Sequence, residues 1–132
     1  MKEEYKLFTG CLIPNRFPYL EASAKYVFDK IGLKYSHTDF GCCPNPVGAR
    51  FVNNKSWLAV GARNIALADA EQKDIMSLCN GCFQTLKLVD HDLKEDEKLK
   101  AEINDILKTV DRKYEGSINI EHFVEVLAEK EV

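Results

Sequence analysis

No apolar run in this 132-residue chain is long enough to cross a bilayer, which needs about 20 consecutive apolar residues. No stripe of Lys and Arg is present either: 18 basic residues are interspersed among 21 acidic ones, for a net charge of −3. That balance argues against nucleic acid and against an anionic membrane surface as partners. There is no Walker loop, no Gly-x-Gly-x-x-Gly, no Gly-x-Ser-x-Gly and no His-Glu-x-x-His, which removes the commonest nucleotide, hydrolase and zinc-protease readings. Low-complexity linkers and internal repeats are also missing, so one domain over 1–132 is expected. Leu7-Phe8-Thr9-Gly10-Cys11 has the look of a lipoprotein cleavage site. The charged residues before it supply no apolar core for a signal peptide, and a cytoplasmic protein is expected.

What the chain does hold is a strand-helix alternation. Tyr5–Thr9 reads as a strand ending at Gly10-Cys11. Tyr19–Ile31 carries apolar residues at helical spacing (Leu20, Ala24, Val27, Phe28, Ile31) and stops at Gly32. Leu33–Thr38 reads as a second strand, followed by a loop stiffened by Pro44 and Pro46. A helix from Asn54 or Lys55 to Glu71 precedes a third strand at Asp74–Leu78, and another helix starts at Asn80. This alternation predicts an α/β fold: a small parallel sheet with flanking helices, built from strand-helix-strand units. Residues 93–132 read as an amphipathic, mainly helical C-terminal extension. Within it lie a helix over Leu93–Val110, a short extended stretch at Ile118–Ile120, and a last helix over Glu121–Glu129.

Five cysteines stand out: Cys11, Cys42, Cys43, Cys79 and Cys82. Thirty residues separate Cys11 from Cys42, and 35 separate Cys43 from Cys79, each about the length of a strand-helix-strand unit. One cysteine group therefore arrives at the end of each successive strand, where sites on open parallel sheets gather. Thiolates are good metal ligands, and in a reducing compartment such groups are more often metal-binding or catalytic than disulfide-forming. Cys79 and Cys82 form a C-x-x-C at a strand-helix junction, with Gly81 easing close approach. Adjacent Cys42 and Cys43 need a rigid loop to aim both sulfurs inward. One zinc takes four ligands and would leave a cysteine over, and iron–sulfur ligation also usually takes four. A structural zinc module and a C-x-x-C dithiol oxidoreductase using Cys79 and Cys82 remain alternatives to an iron–sulfur site.

Asp111–His122 imitates a calcium-binding loop, with Gly116 at the sixth place. Lys113 at the third place and His122 at the twelfth lack the oxygens calcium requires. His37 reads as a neighbour of the cysteine loop, and His91 and His122 as structural. Arg50, Lys55, Arg63 and Asn45 are candidates to line the mouth of the cysteine site.

C-x30-CC-x35-C-x-x-C resembles the cysteine-rich CCG domain found in the B subunit of heterodisulfide reductase. So do Tyr-Lys-Leu-Phe-Thr-Gly-Cys-Leu-Ile-Pro at the start, Cys-Cys-Pro-Asn-Pro, and Leu-Cys-Asn-Gly-Cys-Phe. Pro44 stands at the place of the family's name-giving glycine, and the chain carries one of the two cysteine motifs usual in that protein. The resemblance implies a non-cubane [4Fe-4S] cluster on the five cysteines in an archaeal oxidoreductase of methanogenesis. The reaction would be reductive cleavage of the coenzyme M–coenzyme B heterodisulfide. By the same resemblance, electrons would come from the iron–sulfur (C) and flavin (A) subunits of heterodisulfide reductase.

Overall fold

Alternate residues of the first strand, β1 (Glu4–Phe8), face opposite ways, and both faces are buried: Tyr5 and Leu7 on one side, Lys6 and Phe8 on the other. A strand covered on both faces belongs inside a parallel sheet. Lys6 is tolerated there because its ammonium reaches Glu71 at 2.7 Å. A computed structural model describes residues 4–130. Its sheet has four parallel strands in the order β2-β1-β3-β4, with β2 at Lys34–Ser36, β3 at Asp74–Ser77 and β4 at Ile120–His122. Tyr5 aligns with both Tyr35 and Asp74, and Ser77 aligns with Phe8 and with His122.

Helices cover both faces. On one side lie α4 (Asn54–Glu71), α5 (Asn80–Glu95) and α6 (Glu97–Leu107), whose Trp57, Leu58, Ile65, Leu86 and Ile103 pack on Phe8, Ile75 and Ile120. On the other lie α2 (Pro18–Lys30) and α7 (Phe123–Glu129), which bury Phe28 and Val126 against Tyr5, Leu7 and Met76. The chain runs from β1 to β2 on one side and then crosses back to β3 on the other. The strand order thus reverses beside β1, at the kind of switch point where open α/β sheets bind ligands.

The predicted α/β fold with its parallel sheet and helical C-terminal segment is the fold observed, and α4 runs over the residues expected. Several elements differ. A short helix, α1 (Leu12–Arg16), follows Cys11, and another, α3 (Gly48–Val52), follows the proline loop. The expected helix over Leu93–Val110 is two: α5 ends at Glu95, and Asp96 starts α6 by accepting a hydrogen bond from Leu99 N at 3.0 Å. Mixed charge continues across the break and conceals it. The extended stretch lies at Ile120–His122 rather than Ile118–Ile120, and it is a full strand of the sheet. α7 starts at Phe123 because His122 and Glu125 form a capping box. Among the described residues, no helix is long and apolar enough to cross a membrane.

Candidate metal centre

Strand ends deliver Cys11, Cys79 and Cys82, whereas Cys42 and Cys43, expected at the end of the second strand, lie in a loop well past the end of β2 at Ser36. β1 ends at Phe8, and Gly10, at φ +73°, turns the chain so that Cys11 precedes α1. A Cβ on Gly10 would stand 2.8 Å from Cys82 Sγ and 3.7 Å from Cys79 Cβ. Only glycine therefore lets this turn sit against the sulfurs, for both the space and the left-handed backbone. After β3, Cys79 occupies the N-cap of the 16-residue α5 and makes no side-chain cap bond, which leaves its sulfur free for another use. Cys82 lies in the first turn of the same helix. Ser77 fixes the corner by accepting from Cys79 N at 3.3 Å and donating to Cys79 O at 3.1 Å.

The Cys42-Cys43 loop has no strand or helix of its own, and α4 and α5 hold it instead. Asn64, wholly buried in α4, accepts from Gly41 N at 2.9 Å and donates to Cys42 O at 3.1 Å. Pro44 O takes two hydrogen bonds, from Trp57 Nε1 at 3.1 Å and Thr85 Oγ1 at 3.0 Å. Phe40 packs on Phe8, with ring centroids 4.7 Å apart. Fastened on both sides of the pair, the loop presents two adjacent sulfurs to the end of the sheet.

The sulfurs meet there as an arc of neighbours. Cys43 Sγ and Cys82 Sγ are 2.7 Å apart, beyond the about 2.05 Å of a disulfide bond, and all five thiols are free. Cys82 also feels Cys79, while Cys42 feels Cys43 and Cys11. The hydrogen bond with Cys43 and burial push the Cys82 thiol far up, and the same bond draws the Cys43 thiol down against its burial. Cys42 is raised by burial and by the two thiols beside it. Exposure is graded along the arc, from Cys82 at 2% to the exposed Cys42 and Cys11. Among the described residues, no three His, Cys, Asp or Glu side chains form a group that could hold a single metal ion. Together these five side chains offer only sulfur, the donor of iron–sulfur and thiolate-zinc centres, and they are one more than a tetrahedral zinc takes.

Residues 5–87, which include every one of these cysteines, match the family model for the CCG cysteine-rich domain. The chain belongs to this family. Over 124 residues the chain is 36% identical to the B subunit of the ferredoxin/F420H2-dependent CoB-CoM heterodisulfide reductase of Methanosarcina acetivorans. That match takes in 92% of this chain and 41% of that protein. A protein of Archaeoglobus profundus, described as like the B subunit of heterodisulfide reductase, is 32% identical over 125 residues, 94% of this chain and 42% of its own length. The chain thus spans about two fifths of the curated relatives it matches. A crystal structure of a hypothetical protein from Helicobacter pylori superposes with a TM-score of 0.85 at 22% identity. It covers 98% of this chain and 26% of that one, and shows the same fold.

The charged candidates around the CCG domain's site have structural tasks. Arg50 pairs with Asp92 at 2.9 Å and stacks over Trp57. Arg63 donates to Asp39 O at 2.8 Å, and Lys55 pairs with Glu102 at 3.0 Å. Asn45 Oδ1 accepts from Val47 N and Gly48 N, starting α3. His37 lies edge-on to Tyr35 just past β2, and His91 is exposed on α5. His122 caps α7, as a structural residue should, and packs between Phe83 and Phe123. Sequence reasoning missed Asn64, Ser77, Thr85 and the indole N–H of Trp57, all of which secure the cysteine loops. The one available signal for Asn64 was a short polar side chain inside the apolar stretch of α4.

Proposed function

We propose that this protein is the iron–sulfur domain of a heterodisulfide reductase, of the type found in the B subunit. In this reading Cys11, Cys42, Cys43, Cys79 and Cys82 hold a non-cubane [4Fe-4S] cluster. The reaction served is cleavage of the coenzyme M–coenzyme B heterodisulfide, which takes up two electrons and two protons to give two thiols. The iron–sulfur (C) and flavin (A) subunits of the reductase would supply the electrons, in the cytoplasm of a methanogenic archaeon. The observation that carries the proposal is the run of neighbouring thiols, Cys11 to Cys42 to Cys43 to Cys82 to Cys79, past the carboxyl end of one parallel sheet.

The residues present fit such a group. The donors are five sulfurs, and Gly10 leaves open the space beside Cys82 that any side chain would fill. When bound, the cluster would supply one-electron transfer and affinity for sulfur. The chain's own part is to orient and to shield. Asn64, Trp57 and Thr85 hold the Cys42-Cys43 loop at fixed height, so the two sulfurs need little reorganisation on ligation. Phe8, Phe40 and Phe83 wall the inner side with apolar surface, while Cys11 and Cys42 stay open to a substrate. For the dithiol alternative, the geometry shifts attention from Cys79–Cys82 to Cys43–Cys82, the pair at 2.7 Å.

Anaerobic purification followed by assay of iron, acid-labile sulfide and zinc tests the proposal. Iron and sulfide near four each per chain, with a brown chromophore, are expected. Stoichiometric zinc without sulfide would replace the cluster with a structural zinc module. Metal-free protein with a reversibly titrating thiol pair would replace it with a dithiol oxidoreductase.

A further inference from the structure

Cys43 and Cys82 are 39 residues apart in the chain, with all of α4 between them, and their sulfurs stand 2.7 Å from each other. A disulfide bond needs about 2.05 Å, so a small turn of either side chain closes the gap. Neighbouring groups hold this approach in place. Thr85 Oγ1, in the next turn of α5 after Cys82, donates to the carbonyl of Pro44, the residue after Cys43, at 3.0 Å. Trp57 Nε1 donates to the same oxygen at 3.1 Å, which pins the loop from a second helix. On its other side Cys82 meets the turn at Gly10, where an added Cβ would stand 2.8 Å from Cys82 Sγ. The Cys82 sulfur is thus confined between Gly10 and Cys43.

Other pairings are less well placed. Cys42 and Cys43 are adjacent in sequence, and a bond between them would close a strained ring. Cys42 Sγ is turned to a backbone oxygen instead, donating to Cys43 O at 3.3 Å. Its thiol neighbour Cys11 is exposed, as Cys42 is, so packing confines neither of them. Cys79 also neighbours Cys82 and is its competing partner. Burial sets the order of events at the chosen pair. Cys82 is 2% exposed, inside the apolar cluster of Phe8 and Leu86, whereas Cys43 packs at the edge of that cluster and can be reached from outside.

We propose that Cys43 and Cys82 form a redox latch. In the chain without metal, the Cys43 thiolate attacks a small-molecule disulfide, and one thiol leaves. Cys82 then attacks Cys43 Sγ as the leaving thiolate takes its proton, which makes the intramolecular bond and releases the second thiol. The protein dithiol is oxidised by two electrons, the external disulfide is reduced by two, and both protons end on the released thiols. The bond withholds two of the five sulfurs from metal until excess thiol reverses the exchange. The pairing stands on the chain's own geometry, while its role, to keep the site shut until a cluster can be built, rests on the cluster proposed for the five cysteines.

Chelation under anaerobic, reducing conditions yields the metal-free full chain, which is then equilibrated in mercaptoethanol holding a minor fraction of its disulfide. In such a buffer isolated cysteines stay reduced, and only a pair of high effective concentration closes. After the free thiols are blocked with iodoacetamide, peptide mapping should find Cys43 joined to Cys82, with Cys11, Cys42 and Cys79 alkylated. In unblocked samples freed of thiol, cobalt(II) titration read by its thiolate absorption band should show about 10-fold weaker binding to the bonded chain than to the reduced one, because metal needs free thiolates. Added thiol should restore the band. A Cys79–Cys82 or Cys11–Cys42 bond in its place, or no bond, overturns the latch. So does a reduced chain that binds cobalt no better than the bonded one. None of these outcomes depends on the iron and sulfide content of the purified protein, which decides the cluster separately.

Discussion

At the scale of single residues, the cysteine site rests on two that carry no sulfur. Gly10 holds φ +73°, and a Cβ added to it would stand 2.8 Å from Cys82 Sγ. A side chain there adds about 1–3 kcal/mol of backbone strain and a clash with a buried atom that has nowhere to go. Gly10→Ala should therefore lower the urea midpoint of the metal-free protein and also reduce iron bound per chain; unchanged values of both would show that the turn has slack. Asn64 joins Gly41 and Cys42 across 22 residues or more of sequence. The five thiols were legible from residue type and spacing, because ligand chemistry belongs to the residue itself. Asn64 was not, because its importance lies in what it touches.

At the scale of elements, the least regular segment is the most firmly tied. Residues 115–117 turn toward β4, and the buried Asp69 carboxylate accepts from the backbone N–H of Glu115, Gly116 and Ser117 at 2.9–3.0 Å, and from Ser117 Oγ. This is the stretch that imitates a calcium loop, and its amides are taken by a carboxylate of α4. Asp69→Ala strands those donors. Glu115 and Ser117 are exposed enough for water to replace part of the loss, so the cost falls to about 2 kcal/mol rather than the sum of four bonds. Urea titration should show that loss, with hydrogen exchange rising first in β4. Strands β1 and β3 were legible from their apolar runs between turn residues. β4 was only half legible: three residues carry little periodicity, and its pairing with β3 is set by the turn that Asp69 holds.

At the scale of the whole molecule, the core reaches the cysteine site through Cys82 but consists almost entirely of other residues. Two buried clusters, one on each face of the sheet, run from Tyr5 to Val126; Cys82 is the one cysteine buried in them, and Cys43 and Cys79 pack against their edge. Stability should accordingly survive loss of the metal. Chelation of a cluster-loaded sample is expected to leave the far-ultraviolet circular dichroism unchanged, while amide exchange quickens in residues 9–12 and 38–47. Collapse of the helical signal on chelation would mean that the cluster, and not the core, holds the sheet together. The tail belongs to this same unit: Ile103, Leu107, Tyr114 and Ile118 lie in the cluster of Phe8 and Trp57, although the family match ends at residue 87.

The amino-acid sequence by itself determined the parallel α/β class, the positions of the main helices and the identity of the five sulfurs. Each of these depends on local periodicity or on the chemistry of one side chain. Tertiary structure alone decided the height of the Cys42-Cys43 loop, the fourth strand and the Cys43–Cys82 approach. Those depend on contacts between residues tens of positions apart, which form only once the sheet has brought its strand ends together.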